Sequence, residues 1–529
     1  MLLLIAPLGA HAAEPPAKPA PANTEIAAAI PGLLVIHGRG AWPAALMPQL
    51  LKAAGGEKAR LVVVPTATIT EEKCDADKIA KGWKEKGFPH VDVLHTISRD
   101  KTNDKAFVEP LTKATMVYFD GGLQERLENV YVGTLAEKEF HAVLQRGGII
   151  AGSSAGAAIM SRVMIRSGNP KPEMGTGLGF VTGAIIDQHF AARDRKSRLM
   201  TALAQHPGLV GFGIDEGTAM LVRGHSIAIA GSSTVTVCLP ASATREAKFI
   251  ELKEGQPADL IALSRAAIAR GAPTFPPREL PAPVGVGGTL VIVGGGGPPR
   301  DALAKFLEAS GGPDAVIVVI PTALGDNPPE HPGEEKMLQA AGAKNIVIVH
   351  AASRKEAGEA KVLDALKKAG GIWFSGGRQW RFVDSYENTP ALKAMHDVLA
   401  RGGAIGGSSA GATIQGEYLV RGNPLGNLDM MAEGYERGFG FMRATAIDQH
   451  FTQRNRFKDM EALKRAFPQL LGLGIDESTA AIVTGDAMQA VGKGSVHVYD
   501  RNEPAEGAAA YTKVSAGEKY DLKTKKKVK

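Results

Sequence analysis

An internal repeat constrains this chain of 529 residues more than any other feature of its sequence. The segment Leu34–Gly38 (LVIHG) recurs as Leu290–Gly294 (LVIVG), 256 positions later. A Gly-x-Ser-x-Gly motif centred on Ser154 recurs around Ser409, 255 positions later. A repeat of this length is a duplicated domain rather than a solenoid unit, and a chain this long exceeds what one hydrophobic core supports. The sequence therefore predicts two copies of one domain.

The later motifs of the repeat are spaced differently in the two copies. Ile186–Phe190 (IDQHF) recurs as Ile447–Phe451, and Gly213–Ala219 (GIDEGTA) recurs as Gly474–Ala480 (GIDESTA), both 261 positions later. The second copy thus carries about six extra residues between its serine motif and its histidine motif, a change that a surface loop tolerates well.

Short apolar runs alternate with helical patterns inside each copy. Strands that are apolar throughout are typical of a sheet buried on both faces, and this alternation predicts a parallel α/β sheet covered by helices. The predicted strands of the first copy are Leu33–Ile36, Arg60–Val64, Val91–Leu94, Met116–Phe119 and Gly148–Ala151. The predicted helices are Ala45–Ala54, Asp75–Lys86 and Gly133–Arg146, with further helical patterns after the two serines over Ala157–Ile165 and Ala412–Leu419.

The chain ends and the region between the copies have their own compositions. Residues 1–13 form an apolar run that ends in an A-x-A pattern, typical of a secretory signal peptide, although the usual basic start is missing, as in a truncated beginning. No stretch has transmembrane length, so we expect a periplasmic or secreted protein. The full division is a signal peptide (1–13), a disordered lead-in (14–32), copy one (33–270), a proline-rich linker (271–284), copy two (285–515) and a basic tail (516–529).

Charge and cysteine content exclude several classes of protein. The formal charge is +6, but five lysines lie in the last seven residues, and the rest of the chain carries +1. We therefore expect no nucleic-acid partner and a frayed, solvated tail. Cys74 and Cys238 have no metal-ligand spacing, so we expect no metal and no organic cofactor, while their pairing stays open.

Each serine motif lies between a predicted strand and a helical pattern. A serine on such a sharp turn projects its hydroxyl, and the helix start offers backbone N–H groups to a developing oxyanion. The alternative is a glycine-rich turn without chemistry.

A serine nucleophile needs a base that a carboxylate orients. Two histidine positions recur in both copies. His189 and His450 lie in the IDQHF motifs, whereas His95 and His350 end predicted strands and fit a packing role better. The acids that recur are Glu216 and Glu477, each preceded by an aspartate and each 27 positions after the IDQHF histidine. The order Ser…His…Glu disfavours the α/β-hydrolase fold, in which the acid precedes the histidine.

Four motifs in this order resemble the cyanophycinase group of serine peptidases, which is related to peptidase E: Gly-Gly-x-Gln, Ser-Ala-Gly-Ala, Asp-Gln-His-Phe-x-x-Arg-x-Arg and Gly-Ile-Asp-Glu-x-Thr-Ala. The resemblance covers nearly the whole of both copies. It implies a class I glutamine-amidotransferase-like (flavodoxin-like) α/β fold and a Ser-His-Glu triad. It also implies cleavage of cyanophycin, a poly-aspartate with arginine on its side chains, into β-Asp-Arg dipeptides.

The resemblance also implies roles for individual residues. The implied catalytic residues are Ser154, His189, Glu216, Ser409, His450 and Glu477, and the implied oxyanion-hole residues are Gly122, Ala155, Gly377 and Ala410. The implied substrate-binding residues are Gln124, Asp187, Gln188, Arg193, Arg195 and Arg198 in copy one and Gln379, Asp448, Gln449, Arg454 and Arg456 in copy two. Arginines hold carboxylates and Asp or Gln accept guanidinium donors, although a solvated basic face is the plainer interpretation of the arginine run.

The two copies depart from each other at two places. Asp459 stands where copy one has Arg198, and we expect this charge reversal to weaken carboxylate binding. His37-Gly-Arg-Gly40 stands where copy two has Val293-Gly-Gly-Gly296, which makes the first loop bulkier.

The leading hypothesis is a secreted serine exopeptidase that degrades cyanophycin, with the two copies packed as an intramolecular pseudo-dimer. One alternative is an aspartyl or isoaspartyl dipeptidase that acts on short acidic peptides. The other is a non-catalytic binding protein, against which the presence of all three triad residue types in both copies argues.

Overall fold

The structure, a computed structural model, describes residues 24–280, 286–500 and 510–528. The chain divides into two compact units with their boundary between Ala272 and Pro273. The predicted signal peptide, residues 14–23 of the lead-in and residues 281–284 of the linker lie outside the described residues.

The first unit alternates strands and helices along its first half and is richer in strands along its second half. Its strands are β1 (Ile30–His37), β2 (Arg60–Val64), β3 (His90–Val93), β4 (Met116–Phe119), β5 (Ile149–Ser153), β6 (Val163–Ser167), β7 (Glu173–Thr176), β8 (Ala184–Gln188), β9 (Val210–Ile214), β10 (Thr218–Gly224), β11 (Ser226–Gly231), β12 (Val235–Leu239), β13 (Lys248–Leu252) and β14 (Ala258–Asp259). Its α-helices are α1 (Leu46–Ala53), α2 (Ala76–Lys84), α3 (Lys105–Lys113), α4 (Gln124–Tyr131), α5 (Leu135–Gln145), α6 (Ala155–Ala158), α7 (Lys196–Gln205) and α8 (Leu260–Gly271), with short 3₁₀ turns at Gly56–Lys58 and Lys101–Asn103.

The main sheet of the first unit has the strand order β3-β2-β4-β5-β1-β10-β11-β14 among the described residues. The first five of these strands run parallel, and β10, β11 and β14 extend the sheet antiparallel. The five strands predicted from sequence all form, and the predicted parallel α/β fold is confirmed.

Alternate residues of these strands fill two separate cores. Leu34 and Ile36 of β1 belong to the core that includes residues of α5 and α6. Leu33 and Val35 belong to the opposite core, which includes residues of α1 and α2. Because side chains alternate across a strand, a run that is apolar throughout fills both faces, as its pattern indicated.

A second sheet carries part of the site. Its order is β13-β12-β9-β8, with β8 and β9 parallel and the other pairs antiparallel. The site therefore draws on both sheets. Ser154 follows β5 of the main sheet, whereas His189 and Glu216 follow β8 and β9 of this smaller sheet.

The second unit repeats this architecture. Its strands are β15 (Val286–Val293), β16 (Val316–Ile320), β17 (Asn345–Ile348), β18 (Gly371–Phe374), β19 (Ala404–Ser408), β20 (Gly416–Tyr418), β21 (Met442–Gln449), β22 (Leu471–Ile475), β23 (Thr479–Gly485), β24 (Ala487–Gly492), β25 (Ser495–Tyr499), β26 (Thr512–Ser515), β27 (Lys519–Asp521) and β28 (Lys526–Val528). Its α-helices are α9 (Arg300–Ala309), α10 (Gly333–Ala340), α11 (Arg354–Ala357), α12 (Ala360–Lys368), α13 (Trp380–Tyr386), α14 (Pro390–Ala400), α15 (Ala410–Thr413) and α16 (Phe457–Ala466), with a 3₁₀ turn at Thr322–Leu324.

The sheets of the second unit match those of the first. The main sheet has the order β17-β16-β18-β19-β15-β23-β24-β27-β28 and the smaller one β20-β21-β22-β25-β26 among the described residues. Ser409 follows β19 of the main sheet, and His450 and Glu477 follow β21 and β22 of the smaller sheet.

The helices predicted after the two serines are much shorter than expected. Each is a single turn, α6 or α15, and the chain then enters β6 or β20. The alanine and glycine residues that suggested a long helix instead allow close packing. A Cβ on Gly156 would lie 2.1 Å from the Phe119 carbonyl oxygen.

Three predicted irregular segments are more ordered than expected. In the lead-in, Ala27 is buried, its N–H donates to Ser264 Oγ, and β1 already begins at Ile30. In the linker, the ring of Phe275 stacks on that of Tyr418, with centroids 6.1 Å apart. In the tail, β27 pairs with β24 and β28 with β27, because buried Tyr520 anchors a segment whose lysines face solvent.

No helix in the described parts of the chain is both long and apolar enough to cross a membrane. Cys74 and Cys238 are unpaired. Within residues 24–280, 286–500 and 510–528, no three His, Cys, Asp or Glu side chains are grouped so that they could hold a metal ion.

Candidate active site

The serine of each unit lies on a strained turn between a strand and a single helical turn. Ser154 has φ 55° and ψ −111°, and Ser409 has φ 54° and ψ −111°, a backbone conformation that residues other than glycine rarely adopt. A Cβ on Gly152 would lie 2.2 Å from the Gly156 carbonyl oxygen, so only glycine allows the chain to fold back this tightly. The turn holds each serine at the carboxyl end of the parallel strands.

Three consecutive carbonyl groups at the end of β1 hold the three predicted triad segments. The carbonyl of His37 accepts the N–H of Ser154 at 3.0 Å, and that of Gly38 accepts the N–H of His189 at 3.2 Å. The carbonyl of Arg39 accepts the N–H of Gly217, the residue after Glu216, at 2.6 Å. We call residues 37–39 the carbonyl ladder. It joins the end of β1 in the main sheet to the turn after β8 of the smaller sheet and to the turn that connects β9 of that sheet to β10 of the main sheet.

The second unit has the same ladder at residues 293–295. The carbonyls of Val293, Gly294 and Gly295 accept the N–H groups of Ser409, His450 and Ser478 at 3.0, 2.7 and 2.7 Å. A Cβ on Gly294 would lie 2.2 Å from the Asp476 carbonyl oxygen, and one on Gly38 would lie 2.1 Å from that of Asp215. Glycine at the middle rung is therefore a steric requirement in both units.

The side chains of the predicted triad meet in both units. Ser154 Oγ lies 2.8 Å from His189 Nε2, and His189 Nδ1 lies 2.5 Å from Glu216 Oε1. The corresponding distances for Ser409, His450 and Glu477 are 2.9 and 2.6 Å. An imidazole that donates its Nδ1–H to the glutamate presents an unprotonated Nε2 to the serine hydroxyl, the arrangement that a general base needs.

The imidazoles are kept neutral by their surroundings. Burial lowers the pKa of His189 below its ordinary value; the hydrogen bond to Glu216 opposes this shift, and the positive charges of Arg193 and Arg195 add to it. Burial likewise lowers the pKa of His450. A neutral imidazole is the form that accepts a proton from serine.

The predicted oxyanion residues lie beside each serine. Gly122 has φ 132°, and a Cβ there would lie 2.2 Å from the Ala67 carbonyl oxygen; Gly377 has φ 125° and the same contact with Ala323 at 2.3 Å. Ala155 directly follows the serine at the start of α6. Gly122 lines the same cleft as Ser154, where an N–H donor to the substrate carbonyl oxygen is needed.

The cleft of the first unit encloses about 520 Å³ and is rich in arginine. Its lining residues are Arg39, Gly122, Leu123, Gln124, Ser154, Arg166, Ser167, Gly168, Asn169, Gln188, His189, Arg193, Arg195 and Arg198. Of the substrate-binding residues implied for copy one, only Asp187 does not line it.

Asp187 is fully buried beneath this cleft and holds two of the arginines. Arg198 Nε donates to its carboxylate at 3.0 Å, Arg198 Nη2 makes a second contact, and Arg195 Nη1 lies 3.3 Å away. Arg195 and Arg198 are themselves buried, so the interpretation of this run as a solvated face holds only for exposed Arg193. Asp187 therefore supports the cleft floor and does not reach a bound molecule directly.

The second unit fills the same position with a different arginine. Arg421 donates from Nε to Asp448 at 3.0 Å and from Nη2 to Asp448 at 2.9 Å and to Asp459 at 2.7 Å. Arg456 Nη1 donates to Asp448 at 2.6 Å. Asp448 thus keeps two arginine partners although Asp459 replaces the third arginine of the first unit. Arg421 also pairs with Asp459, so this group of two arginines and two aspartates is neutral, whereas Asp187 with its two arginines carries a net positive charge. The expectation that Asp459 weakens carboxylate binding stays a prediction.

Arg166, the arginine of the first unit that aligns with Arg421, binds a different acid. It makes two hydrogen bonds to Glu128, at 3.0 and 2.9 Å. The residue aligned with Glu128 is Val383, which is buried and offers no acid. One arginine at one aligned position therefore has two alternative partners, and the substitutions around it decide between them.

The other candidates implied by sequence lie at or near the clefts. Gln124 Nε2 donates to the Ile165 carbonyl at 3.0 Å, and Gln379 Nε2 donates to those of Val420 and Arg421, both at 2.9 Å. These hydrogen bonds fix the backbone of the segment that follows each one-turn helix, α6 or α15. Gln188 and Gln449 are buried beside the histidines, and Arg454 is exposed like its counterpart Arg193.

The second recurring histidine pair has a structural role. His95 Nδ1 lies 3.0 Å from Thr66 Oγ1, and His95 Nε2 donates to the Glu71 carbonyl at 2.7 Å. His350 contacts Thr322 and the Asp326 carbonyl in the same way, at 3.2 and 2.9 Å. These histidines brace the loops after β2 and β16 and do not reach the serines.

Sequence reasoning missed Arg39, Arg166 and Asn169 as lining residues of the first cleft. The one signal for Arg39 was its place in a loop that is all glycine in the second copy. His37, at the start of the same loop, is fully buried against Ser153, with Nδ1 3.0 Å from Oγ, and burial lowers its pKa to about 4.

The family of the chain follows from a match to a sequence model. The sequence model of peptidase family S51 matches residues 34–230 and 290–491, more than half of the chain and once in each unit. The chain belongs to peptidase family S51. It is therefore a serine peptidase with two family domains, and the resemblance drawn from the motifs is confirmed.

Curated relatives of this S51 peptidase are cyanophycinases. It is 31% identical over 211 residues to the cyanophycinase of Geminocystis herdmanii, covering 38% of this chain and 75% of that protein. It is 33% identical over 208 residues to that of Synechococcus elongatus, covering 38% of this chain and 63% of that protein. It is 30% identical over 234 residues to that of Trichormus variabilis, covering 42% and 78%.

Two solved structures are also similar. A peptidase from an acI-B1 Actinobacterium is 22% identical, covers 45% of this chain and 98% of that chain, and has a TM-score of 0.36. A putative peptidase E protein from Listeria monocytogenes is 16% identical, covers 39% and 98%, and has a TM-score of 0.30.

The aligned arginines of this S51 peptidase should differ in their contribution to stability. Arg421→Ala leaves buried Asp448 with one partner and should cost about 3–5 kcal/mol of unfolding free energy. Arg166→Ala breaks a pair whose arginine is 34% exposed, and should cost about 1 kcal/mol. Urea unfolding of the two variants, followed by circular dichroism, measures both costs. Equal losses would contradict the exchange of partners.

The activity should persist into mildly acidic solution. The imidazole must be neutral to accept the serine proton, and its pKa is lowered, so kcat/KM should fall only below pH 6.5, the ordinary histidine value. Arg193→Gln removes a positive charge near His189 and should move this acidic limb to higher pH in a Ser409→Ala background. An acidic limb of the kcat/KM profile with its midpoint at or above pH 6.5 in the parent protein would contradict the assignment of His189 as the base.

Proposed function

We propose that this S51 peptidase hydrolyses cyanophycin to β-Asp-Arg dipeptides through a Ser-His-Glu triad in each unit. The observation that carries the proposal is the continuous hydrogen-bonded line Ser–His–Glu, which has nearly the same distances in both units. The same backbone strain recurs at the serine of both units, and strain of this kind is typically retained at functional sites. The names of the curated relatives support cyanophycin as the substrate.

The reaction begins with attack of Ser154 Oγ on a backbone carbonyl of the substrate. His189 accepts the serine proton at Nε2, and Glu216 stabilises the imidazolium that forms. The N–H groups of Gly122 and Ala155 stabilise the negative charge on the carbonyl oxygen. His189 then gives the proton to the departing amine, which leaves an acyl-enzyme on Ser154. Water hydrolyses this ester with the same histidine as base.

The charges of the first cleft fit a substrate that carries carboxylates. Asp187 balances one of the two positive charges of Arg195 and Arg198, and Glu128 balances that of Arg166. Arg39 and Arg193 line the cleft without a carboxylate partner among the described residues, and they give it a net positive charge. Each β-Asp-Arg unit of cyanophycin carries a free carboxylate on its arginine, which a guanidinium binds through two hydrogen bonds.

The same positive cleft also suits short acidic peptides, so an aspartyl or isoaspartyl dipeptidase is the second candidate. The exposed pair Arg39 and Arg193 favours it as much as it favours the polymer. A panel that compares cyanophycin with α- and β-aspartyl dipeptides separates the two candidates by their kcat/KM values.

The serine variants test the proposal directly. Ser154→Ala and Ser409→Ala should each abolish the contribution of one unit, and the double variant should release dipeptide from cyanophycin at least about 10⁴-fold more slowly than the parent. Release of arginine-containing dipeptide, measured by mass spectrometry, gives the rates. Ser153→Ala is the matched control, because it changes a neighbouring serine that does not contact His189.

A fluorophosphonate probe separates a peptidase from a binding protein. Each intact triad should be labelled at its serine, and the double variant should not be labelled. Full dipeptide release by the double variant, or an unlabelled parent protein, would refute the triad assignment.

Export and the arrangement of the two units complete the proposal. The apolar run of residues 1–13 supports secretion or a periplasmic location, and peptide mass mapping of the exported protein should find its amino terminus after residue 13. Retention of the uncleaved chain in the cytoplasm would argue against export.

The duplication supports an intramolecular pseudo-dimer, for which small-angle scattering should give one compact particle rather than two separated ones.

A further inference from the structure

Only the first unit carries a side chain at the third rung of its carbonyl ladder. Arg39 stands there with φ 114°, where the second unit has Gly295 with φ 105°. Backbone carbonyls form the rung in both units, so the ladder itself does not need the arginine side chain. An arginine in this glycine-favouring conformation costs stability, and such strain is typically retained where a site needs the side chain.

The Arg39 guanidinium lies beside the nucleophile. A Cβ on Gly121 would be 2.5 Å from Arg39 Nη1 and 3.3 Å from Ser154 Cβ. Gly121 directly precedes Gly122, one of the proposed oxyanion donors. The positive charge therefore stands at the edge of the space where the scissile bond would lie.

No carboxylate in the described part of the chain lies within ion-pair distance of this charge. The pKa of Glu216 is lowered by its hydrogen bond with His189 and, to a smaller extent, by the positive charges of Arg193 and Arg39. Across residues 24–280, 286–500 and 510–528, no hydrogen bond or ion pair engages the Arg39 guanidinium, and the residue is exposed. Its neighbours Arg166, Arg195 and Arg198 each hold a carboxylate. Arg39 is thus free to take an anionic group from a bound molecule.

The position of the side chain points to the departing part of the substrate. In the second unit, a Cβ on Gly295 would be 2.2 Å from His450 Cε1, so a side chain at this rung starts beside the histidine. The histidine protonates the departing amine, and in a carboxy-terminal residue the free carboxylate is two bonds from that nitrogen. The Arg39 guanidinium, on a side chain that starts beside the histidine, is therefore placed to bind this carboxylate.

We propose that Arg39 is a specificity residue of the first unit that binds the free carboxylate of the residue released on hydrolysis. It makes the first unit select the carboxy-terminal end of its substrate, whereas the second unit, with Gly295, has no such contact. The inference rests on the proposed function and assigns the two units different preferences for the same bond.

Paired peptides in single-site proteins test the inference. An aspartyl peptide with a free carboxyl terminus and its carboxy-terminal amide are compared by kcat/KM in full-length Ser409→Ala, where only the first unit acts. The free acid should be cleaved at least about tenfold faster. Adding Arg39→Gln should reduce this ratio of kcat/KM values to below about twofold, because only the kcat/KM of the free acid falls. Arg39→Lys should keep part of the preference for the free acid.

Two controls accompany this comparison. Arg223→Gln, an exposed arginine near the end of β10 that pairs with the start of β1, should leave the ratio unchanged. Arg39→Gly should melt no lower than its parent, because glycine adopts φ 114° without strain. The second unit alone, in Ser154→Ala, should cleave the acid and the amide at similar rates.

The outcomes separate this inference from the proposed function. Equal cleavage of acid and amide by Ser409→Ala, or a ratio that survives Arg39→Gln, overturns the role of Arg39 and leaves the peptidase function standing. No cleavage of either peptide by Ser409→Ala, together with no fluorophosphonate labelling of Ser154, overturns both.

Discussion

Three backbone hydrogen bonds at the end of one strand hold each site together. The carbonyls of residues 37–39, and of 293–295 in the second unit, accept N–H groups from the serine turn, the histidine turn and the glutamate turn. The serine turn follows a strand of the main sheet, the histidine turn follows a strand of the smaller sheet, and the glutamate turn connects the smaller sheet to the main sheet. The geometry of the triad therefore depends on a junction between sheets, and the middle glycine is fixed because any side chain there would meet a backbone carbonyl.

The sequence predicts the elements that local patterns dictate. Four of the five early strands could be identified because both of their faces are buried, whereas β3, at the edge of the sheet, alternates exposed and half-buried residues. The motifs indicated Ser154, His189 and Glu216 as the candidate triad. The helix predicted after Ser154 was wrong, since alanine and glycine there serve close packing against Phe119 rather than helix propagation. The frayed tail was wrong because buried Tyr520, not the surrounding lysines, determines its structure.

Other features depend on tertiary contacts that no local pattern contains. Arg166 and Arg421 are aligned arginines, yet one binds Glu128 and the other Asp448 and Asp459. The choice depends on whether an acid stands at position 128 or 459, far from the arginine along the chain. From the sequence, Asp459 indicates a missing arginine, although Arg421, in the segment after β20, takes that place beside Asp448.

The division of each triad between two sheets has a consequence for how these sites lose activity. The histidine follows a strand of the smaller sheet, whereas the glutamate lies in the short connection from the smaller sheet into the main sheet. A local opening of the smaller sheet would therefore remove the proton acceptor while the main sheet with its nucleophile stays folded. The N–H of the histidine turn would then exchange with solvent before that of the serine turn, because the serine and its partner carbonyl at His37 both belong to the main sheet.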